Sequence, residues 1–211
     1  GIGKSSLLDL MMNIALPKKS FTKGKVFATD GLPVHSRMML MTQEDGLLPW
    51  LNVLENVLLG YRLRNNLSSS IADGARDLLN RLGLKPQEWS KYPSELSGGM
   101  KQRVALARTI LEDKPILLLD EPFASIDAIT RSVLEELLIE LCQKKTVLMV
   151  THDPWEALRL ADQIYVFQGS PANLIPIDTI KNSPPRIMSP EYVSVYHTIL
   201  KLLRNSANDL L

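Results

Sequence analysis

The chain has 211 residues, enough for one or two domains with a substantial hydrophobic core. Its 24 Lys and Arg residues nearly balance 23 Asp and Glu residues, and the formal net charge of +1 argues against binding nucleic acid through bulk charge. No run of about eighteen apolar residues occurs, so the sequence predicts no membrane-spanning helix, and a single cysteine excludes an internal disulfide.

Short apolar runs alternate with helical patterns, which is typical of an α/β fold with a parallel sheet covered by helices on both faces. Runs rich in Val, Ile, Leu and Met predict four buried parallel strands, at residues 37–41, 115–119, 146–150 and 163–167. Helical spacing of apolar residues predicts helices at 5–13, 72–82, 98–111 and 129–142. Cys142 ends the last helix, and we expect it to be a core residue, with a reactive thiol as the alternative.

Two segments depart from this alternation. Residues 44–96 contain helical stretches and a polar loop at 64–70 but no strong strand, which predicts a helical insertion. From Ser189 the sequence predicts an amphipathic helix that packs on its own domain or binds a partner. Its apolar positions are Val193, Tyr196, Ile199, Leu200 and Leu203. We therefore expect four parts, namely a first core segment at 1–43, the insertion at 44–96, the remaining core at 97–180 and the terminal helix at 181–211.

The chain opens with Gly-Ile-Gly-Lys-Ser-Ser, which matches the second half of a phosphate-binding loop. Backbone N–H groups of Gly1, Gly3 and the following helical turn would hold phosphates at the positive end of the helix. Lys4 would neutralise the β- and γ-phosphates and the Ser5 hydroxyl would bind Mg²⁺. Ser6 would donate a further hydrogen bond.

Polar residues follow three of the predicted strands at their carboxyl ends, where parallel sheets bind ligands. Gln43, Asp120 and His152 each stand within two residues of a predicted strand end, and Glu121 follows Asp120 directly. With a nucleoside triphosphate bound, Asp120 and Gln43 would hold Mg²⁺, and Gln43 would also reach the attacking water. Glu121 would orient and polarise that water, and His152 would donate a hydrogen bond to the γ-phosphate.

The stretch Leu-Ser-Gly-Gly-Met-Lys-Gln-Arg at 96–103 resembles the signature motif of ABC-type ATPases. Ser97, Gly98 and Gly99 precede a predicted helix and offer a hydroxyl and free backbone N–H groups to a second phosphate site. Met100 stands where the commonest family pattern has Gln, and we expect this change to be harmless because the backbone makes most of the contacts.

The resemblance implies a P-loop NTPase with a RecA-like parallel sheet, flanking helices and an inserted helical subdomain. It also implies ATP and Mg²⁺ as ligands, and two subunits that meet head to tail with each ATP held between one phosphate loop and the other subunit's signature helix. Asp127, in the stretch Ala-Ser-Ile-Asp, would lie across that interface and help couple the two sites. A P-loop kinase or other phosphotransferase would not need the signature helix.

Leu47, Leu48 and Trp50 form an apolar cluster next to a proline. They would form a local core of the insertion or line a groove that receives a membrane subunit. The string Leu-Leu-Pro-Trp and the tail at 183–204 resemble the ATP-binding subunits of bacterial importers of the nitrate, sulfonate, taurine and pyrimidine-precursor branch. An exporter subunit and a soluble ABC-class ATPase are the alternatives.

The importer resemblance implies several partners and a location. The partners would be a second ATPase subunit, identical or paired, multi-span permease subunits and, indirectly, an extracytoplasmic solute-binding protein, but no nucleic acid. The chain would sit peripherally at the cytoplasmic face of the plasma membrane. The family pattern also places strands, an adenine-stacking aromatic residue and the first loop glycine before position 1, so we expect this chain by itself to bind ATP poorly.

Overall fold

The computed structural model describes residues 3–14, 25–169, 172–178, 182–187 and 189–208. Eight α-helices lie within these ranges: α1 (Lys4–Met11), α2 (Val53–Val57), α3 (Leu59–Leu63), α4 (Ser69–Arg81), α5 (Gly98–Leu111), α6 (Ala128–Cys142), α7 (Pro154–Leu160) and α8 (Pro190–Asn208). The strands there are β1 (Met38–Met41), β2 (Ile116–Asp120), β3 (Thr146–Val150), β4 (Ile164–Gln168) and β5 (Asn173–Ile177). Two compact units result, one of residues 8–149 and one of the segments on either side of them.

The unit at 8–149 is built around a sheet with the order β1-β2-β3. β1 and β2 are parallel, with Met38 opposite Ile116 and Met41 opposite Leu119. The middle strand is the most deeply buried, because Leu117, Leu118 and Leu119 expose none of their surface. The apolar runs of β1 and β2 therefore contribute to the core of the unit, as predicted. The run at 146–150 forms a strand with the predicted bounds, but the prediction that it is buried is wrong, since Val147 is 36% exposed and only Val150 is buried.

Helix α5 supplies the second layer of this core and begins and ends at the predicted residues. Val104 and Ala107 are fully buried on it, and α2 and α4 pack against it. Arg103 donates hydrogen bonds to the carbonyl oxygens of Leu82 and Gly83, at 3.1 and 3.0 Å, and so ties α5 to the residues that end α4. Cys142 is buried at the end of α6, as the sequence predicted.

The unit that follows β3 contains α7, α8 and a two-stranded sheet. Its apolar cluster is centred on Leu158, Val166, Ile177 and Ile199. Trp155 of α7 stacks on Tyr196 of α8 with ring centroids 4.2 Å apart. Helix α8 thus buries its apolar face within its own unit, which favours the first of the two predicted roles, although Val193 is 39% exposed and lies outside that face.

The prediction of a fourth buried parallel strand at 163–167 is wrong. β4 pairs antiparallel with β5, from Ile164 opposite Ile177 to Gln168 opposite Asn173. Only four residues separate the two strands, whereas a parallel connection needs a dozen or more. The sequence did not reveal β5 because Pro176 interrupts it, and a proline is tolerated only where no neighbouring strand needs its N–H group.

None of the described helices combines the length and hydrophobicity that spanning a bilayer requires.

Candidate functional site

Helix α1 begins directly after a glycine that adopts a left-handed conformation. Gly3 has φ +92°, which favours glycine, and its carbonyl oxygen accepts a hydrogen bond of 3.0 Å from the N–H group of Leu7. Lys4 is half-buried, whereas Ser5 and Ser6 are exposed. The helix therefore presents its first-turn N–H groups, a cation and two hydroxyls together, which is the chemistry of a phosphate site. Gly1 lies outside the described residues.

The carboxyl ends of β1 and β2 bring three predicted site residues to one edge of the sheet. Met41, the last residue of β1, pairs with Leu119. Asp120, which ends β2, and Gln43, two residues after β1, therefore lie at the same edge of the sheet. Asp120 is 5% exposed and Gln43 is exposed. Glu121 has φ +48°, a left-handed conformation that costs a non-glycine residue about 1 kcal/mol or more and persists only where neighbours enforce it.

The N-terminus of α5 packs closely against the loop that follows Glu121. The Ser97 hydroxyl caps the helix by accepting a 3.3 Å hydrogen bond from the N–H group of Met100. A Cβ atom on Gly99 would lie 3.0 Å from the Ser125 carbonyl oxygen, whereas one on Gly98 would meet the Ser125 Cβ at an ordinary 3.5 Å. A side chain at the second signature glycine would therefore press on the backbone of the loop, while Gly98 is exposed.

A buried glutamine that the sequence reasoning did not single out joins the same two elements. The Gln102 side chain is 6% exposed, donates to the Glu121 carbonyl oxygen at 2.7 Å and accepts from the Ser125 N–H group at 2.8 Å. A polar residue three positions after Gly99, on the face that packs on the loop, was the available signal. Its role could be recognised only once the loop was placed against α5.

Asp127 begins α6 as its N-cap residue. Its Oδ1 accepts a 3.0 Å hydrogen bond from the N–H group of Thr130, and this bond holds the pKa of the exposed Asp127 carboxyl below its ordinary value. The predicted role across a subunit interface stays a prediction, and the cap gives the residue a structural role within its own chain as well.

His152 belongs to the second unit, in a short segment with defined geometry. The Thr151 hydroxyl donates to the Glu156 carboxylate and accepts a 3.0 Å hydrogen bond from the Asp153 N–H group. Asp153 caps α7 by accepting a 2.9 Å bond from the N–H group of Trp155. These bonds fix the backbone on both sides of His152, whose side chain is exposed.

The family model for ABC transporters matches residues 1–124 of the chain. The chain belongs to the ABC transporter family. It is 46% identical over 166 residues to the aliphatic sulfonates import ATP-binding protein of Rhodococcus jostii, an alignment that covers 78% of this chain and 63% of that protein. It is 38% identical over 184 residues to the taurine import ATP-binding protein of Pseudomonas aeruginosa, with 84% of this chain and 68% of that protein aligned.

A solved ATP-binding cassette, a dimer in a post-hydrolysis state with ADP and phosphate, has a TM-score of 0.66 and 30% identity over 78% of this chain and 75% of that chain. The predicted fold class, a P-loop NTPase of the ABC type, is therefore confirmed, as is the predicted resemblance to importer ATP-binding subunits of the sulfonate and taurine branch. The ABC chain spans roughly two thirds of the length of these curated relatives, 63% of the first and 68% of the second.

Gln43 and Asp120, at one edge of the sheet, carry oxygen atoms of the kind that Mg²⁺ prefers. Among the described residues, no three His, Cys, Asp or Glu side chains cluster closely enough to hold a metal ion by themselves. The predicted Mg²⁺ ligands are instead oxygens of Ser5, Gln43 and Asp120. Mg²⁺ in proteins is usually held by one or two carboxylates, and substrate phosphates and water complete its shell, so these three ligands stay a prediction.

Proposed function

We propose that this chain is the ATP-binding and ATP-hydrolysing subunit of an ABC importer. The observation that carries the proposal is the close packing of α5, which begins with the signature residues, on the loop that carries Glu121. Both elements carry residues that the family resemblance assigns to ATP, Glu121 to the nucleotide of its own subunit and the signature residues to the nucleotide of the partner subunit, and their packing would join the two roles in one chain. Membership of the family and the importer names of the relatives support the same conclusion.

The phosphates of ATP would lie at the N-terminus of α1. Gly1 and Gly3 would offer backbone N–H groups, Lys4 would neutralise charge on the β- and γ-phosphates, and the hydroxyls of Ser5 and Ser6 would face the phosphate oxygens. Since the helix dipole and a cation act together there, the triphosphate would be held chiefly by electrostatics.

Hydrolysis would depend on the residues at the strand ends. Glu121 would accept a proton from the attacking water, and Gln43 would help to place that water. His152 would donate to the γ-phosphate. Mg²⁺, held by Ser5, Gln43 and Asp120, would neutralise the charge that develops on the transferred phosphoryl group.

Two ATPase subunits would meet head to tail, so that residues 97–99 of one subunit contact the nucleotide bound by the other, with Asp127 at the interface. The solved cassette of similar fold is a dimer, which supports this arrangement. We further propose that the dimer docks on multi-span permease subunits at the cytoplasmic face of the membrane. Residues 44–96 would form the subdomain that meets them, because Trp50 is 68% exposed there, although Leu47 is buried in the local core.

The transported solute would be a small molecule such as nitrate, a sulfonate, taurine or a pyrimidine precursor. The relatives named for aliphatic sulfonates and taurine support this range. The choice within it would be made by the permease and by an extracytoplasmic binding protein.

The test of ATP hydrolysis uses Glu121→Gln in the natural full-length protein. We expect this variant to bind ATP, to form a stable dimer with it and to lose at least about a hundredfold in turnover, because a positioned general base typically supplies that much. Glu136→Gln, the same chemical change at an exposed site on α6, is the matched control and should keep wild-type turnover. Turnover near wild type in Glu121→Gln would refute the assignment of Glu121.

The test of transport is purification of the natural protein from its native membranes, followed by mass spectrometry of what accompanies it. A multi-span subunit and a secreted binding protein are the expected partners. Recovery with ribosomal or DNA-associated proteins alone would leave the ATPase and remove transport from the proposal.

A further inference from the structure

Gln102 occupies a place in the structure where both halves of its amide are used. The Nε2 atom donates to the Glu121 carbonyl oxygen at 2.7 Å, and Oε1 accepts from the Ser125 N–H group at 2.8 Å. The two partners stand four residues apart, so one side chain closes the loop between them. If the amide were flipped, its NH₂ group would face the Ser125 N–H group and its oxygen would face the Glu121 carbonyl oxygen. These two partners therefore fix the orientation of the amide.

The backbone that Gln102 holds is an unfavourable one. Glu121 has φ +48°, a conformation that side-chain-bearing residues seldom adopt, and Pro122 restricts it further. Such a conformation persists only when neighbouring contacts enforce it. The bond from Gln102 is short and Gln102 is only 6% exposed, so competition from water is weak.

Gln102 also lies one turn along α5 from Gly99, and both face the same loop. Gly99 allows the backbones to approach so closely that an added Cβ would lie 3.0 Å from the Ser125 carbonyl oxygen. The first turn of α5 is therefore fixed relative to the loop at two points, Gly99 and Gln102. A displacement of α5 would be transmitted to the Glu121 backbone through the amide.

We infer that Gln102 is a positioning residue for ATP hydrolysis, which holds the Glu121 backbone in its left-handed conformation and links it to the signature end of α5. The inference rests on the proposed function, since it assigns Gln102 to the same reaction. Gln102 itself touches neither the nucleotide nor water in this role. It acts through the Glu121 carbonyl oxygen, and its removal should lower kcat for ATP while leaving KM for ATP unchanged.

The decisive variant is Gln102→Glu, measured as ATP turnover between about pH 5.5 and 8.5 in the natural full-length protein. An ionised carboxylate would place a negative oxygen opposite the Glu121 carbonyl oxygen, whereas a protonated carboxyl could donate to it as the amide does. Burial and the facing carbonyl both raise the pKa of the introduced carboxyl. The ratio of variant to wild-type kcat should therefore be about one tenth or less at high pH and rise toward one as pH falls.

Using this ratio removes the pH dependence that the two proteins share, including that of ATP. The control is Gln143→Glu, the same change at the exposed residue that follows α6. The ratio of its kcat to the wild-type kcat should stay near one at every pH.

A second measurement needs no turnover. In nucleotide-free protein, Gln102→Met should speed amide hydrogen exchange at Ser125 about tenfold or more, because this N–H group loses its acceptor. Gln143→Met should leave it unchanged. Circular dichroism that matches wild type ensures that the variants compare the same fold.

The outcomes separate the inference from the proposed function. Three outcomes would overturn the inference alone, provided that the wild-type protein hydrolyses ATP. They are a kcat ratio near one for Gln102→Glu, a kcat ratio that does not change with pH, and a loss confined to KM. Absence of hydrolysis in the wild-type protein and its assembled complex would overturn the proposed function, and the catalytic role of Gln102 with it. Faster exchange at Ser125 together with a pH-dependent kcat ratio would support both.

Discussion

The loop that presents Trp50 depends on one buried side chain, and Asn56→Ala should remove its support. Asn56 exposes none of its surface. Its Oδ1 accepts from the Leu48 N–H group at 2.8 Å. Its Nδ2 donates to the carbonyl oxygens of Leu48, Leu51 and Asn52, at 3.2, 2.9 and 3.1 Å. A single amide thus satisfies four backbone groups of the loop at 47–52.

The expected loss follows from these four bonds. Because Nδ2 has only two hydrogens for its three acceptors, the four contacts count as about three full bonds, and at about 0.5 to 1.5 kcal/mol each these contribute about 1.5 to 4.5 kcal/mol. Alanine returns about 0.5 kcal/mol through its higher helix propensity in α2, and water that enters the loop would satisfy some of the freed groups. We therefore expect Asn56→Ala to lower the free energy of unfolding by about 3 kcal/mol, a large share of the 5 to 15 kcal/mol typical of a domain.

The assay is urea-induced unfolding followed by circular dichroism, together with amide hydrogen exchange at Leu48. Exchange reports the loop directly, which matters because a chain of two compact units need not unfold in one step. Asn80→Ala is the matched control, since Asn80 is exposed on α4 and its loss should change stability by less than about 0.5 kcal/mol. A cost below about 1 kcal/mol for Asn56→Ala, with unchanged exchange at Leu48, would show that the amide does not hold the loop.

Three further changes have expected outcomes. Gly74 is exposed inside α4 and an added Cβ would meet nothing within 4 Å, so Gly74→Ala should raise the stability of the protein by about 1 kcal/mol, measured as a higher urea midpoint. Burial raises the pKa of the Cys142 thiol to about 11, so its alkylation by iodoacetamide should be very slow at pH 8. The alkylation rate, measured by mass spectrometry, should rise about tenfold for each pH unit until the pH reaches the pKa. Arg186 is buried and donates from Nη1 to the carbonyl oxygens of Leu158 and Ala161 and from Nε to that of Asn182. Arg186→Leu should therefore cost about 2 to 4 kcal/mol in urea unfolding, and Arg186→Lys should recover only part because one ammonium nitrogen replaces two donor nitrogens.

The sequence predicted best the bounds of the elements whose local pattern is strong. β3 and α5 have the predicted bounds because an unbroken apolar run and a capped helical pattern each leave few alternatives. β5 was missed because it is short, half-exposed and contains Pro176, so its pattern does not differ from that of a loop. The short helices α2 and α3 were missed for a similar reason, since five residues are too few to show helical periodicity.

The candidate site divides in the same way. The places of Asp120 and Glu121 at the end of β2 and of Ser97 at the start of α5 could be predicted from the sequence pattern, and their roles stay predictions. The left-handed conformation of Glu121 and the bond from Gln102 that holds it could not be predicted, because they depend on how α5 and the loop meet in three dimensions. Asn56 was missed on the same grounds, since an asparagine in a five-residue helix gives no sign that four backbone groups converge on it.

Helix α5 is the element on which these separate contacts converge. Gln102, near its start, contacts the loop that carries Glu121, and Arg103 contacts the residues that end α4. Arg108, toward its end, donates at 2.9 Å to the carbonyl oxygens of both Asp45 and Gly46, just after Gln43. A rigid helix fixed at all three places cannot shift at its signature end without moving the others. Because coupling between sites requires a contiguous element that each site can bias, α5 is the physical candidate for linking nucleotide contacts to the segment that exposes Trp50.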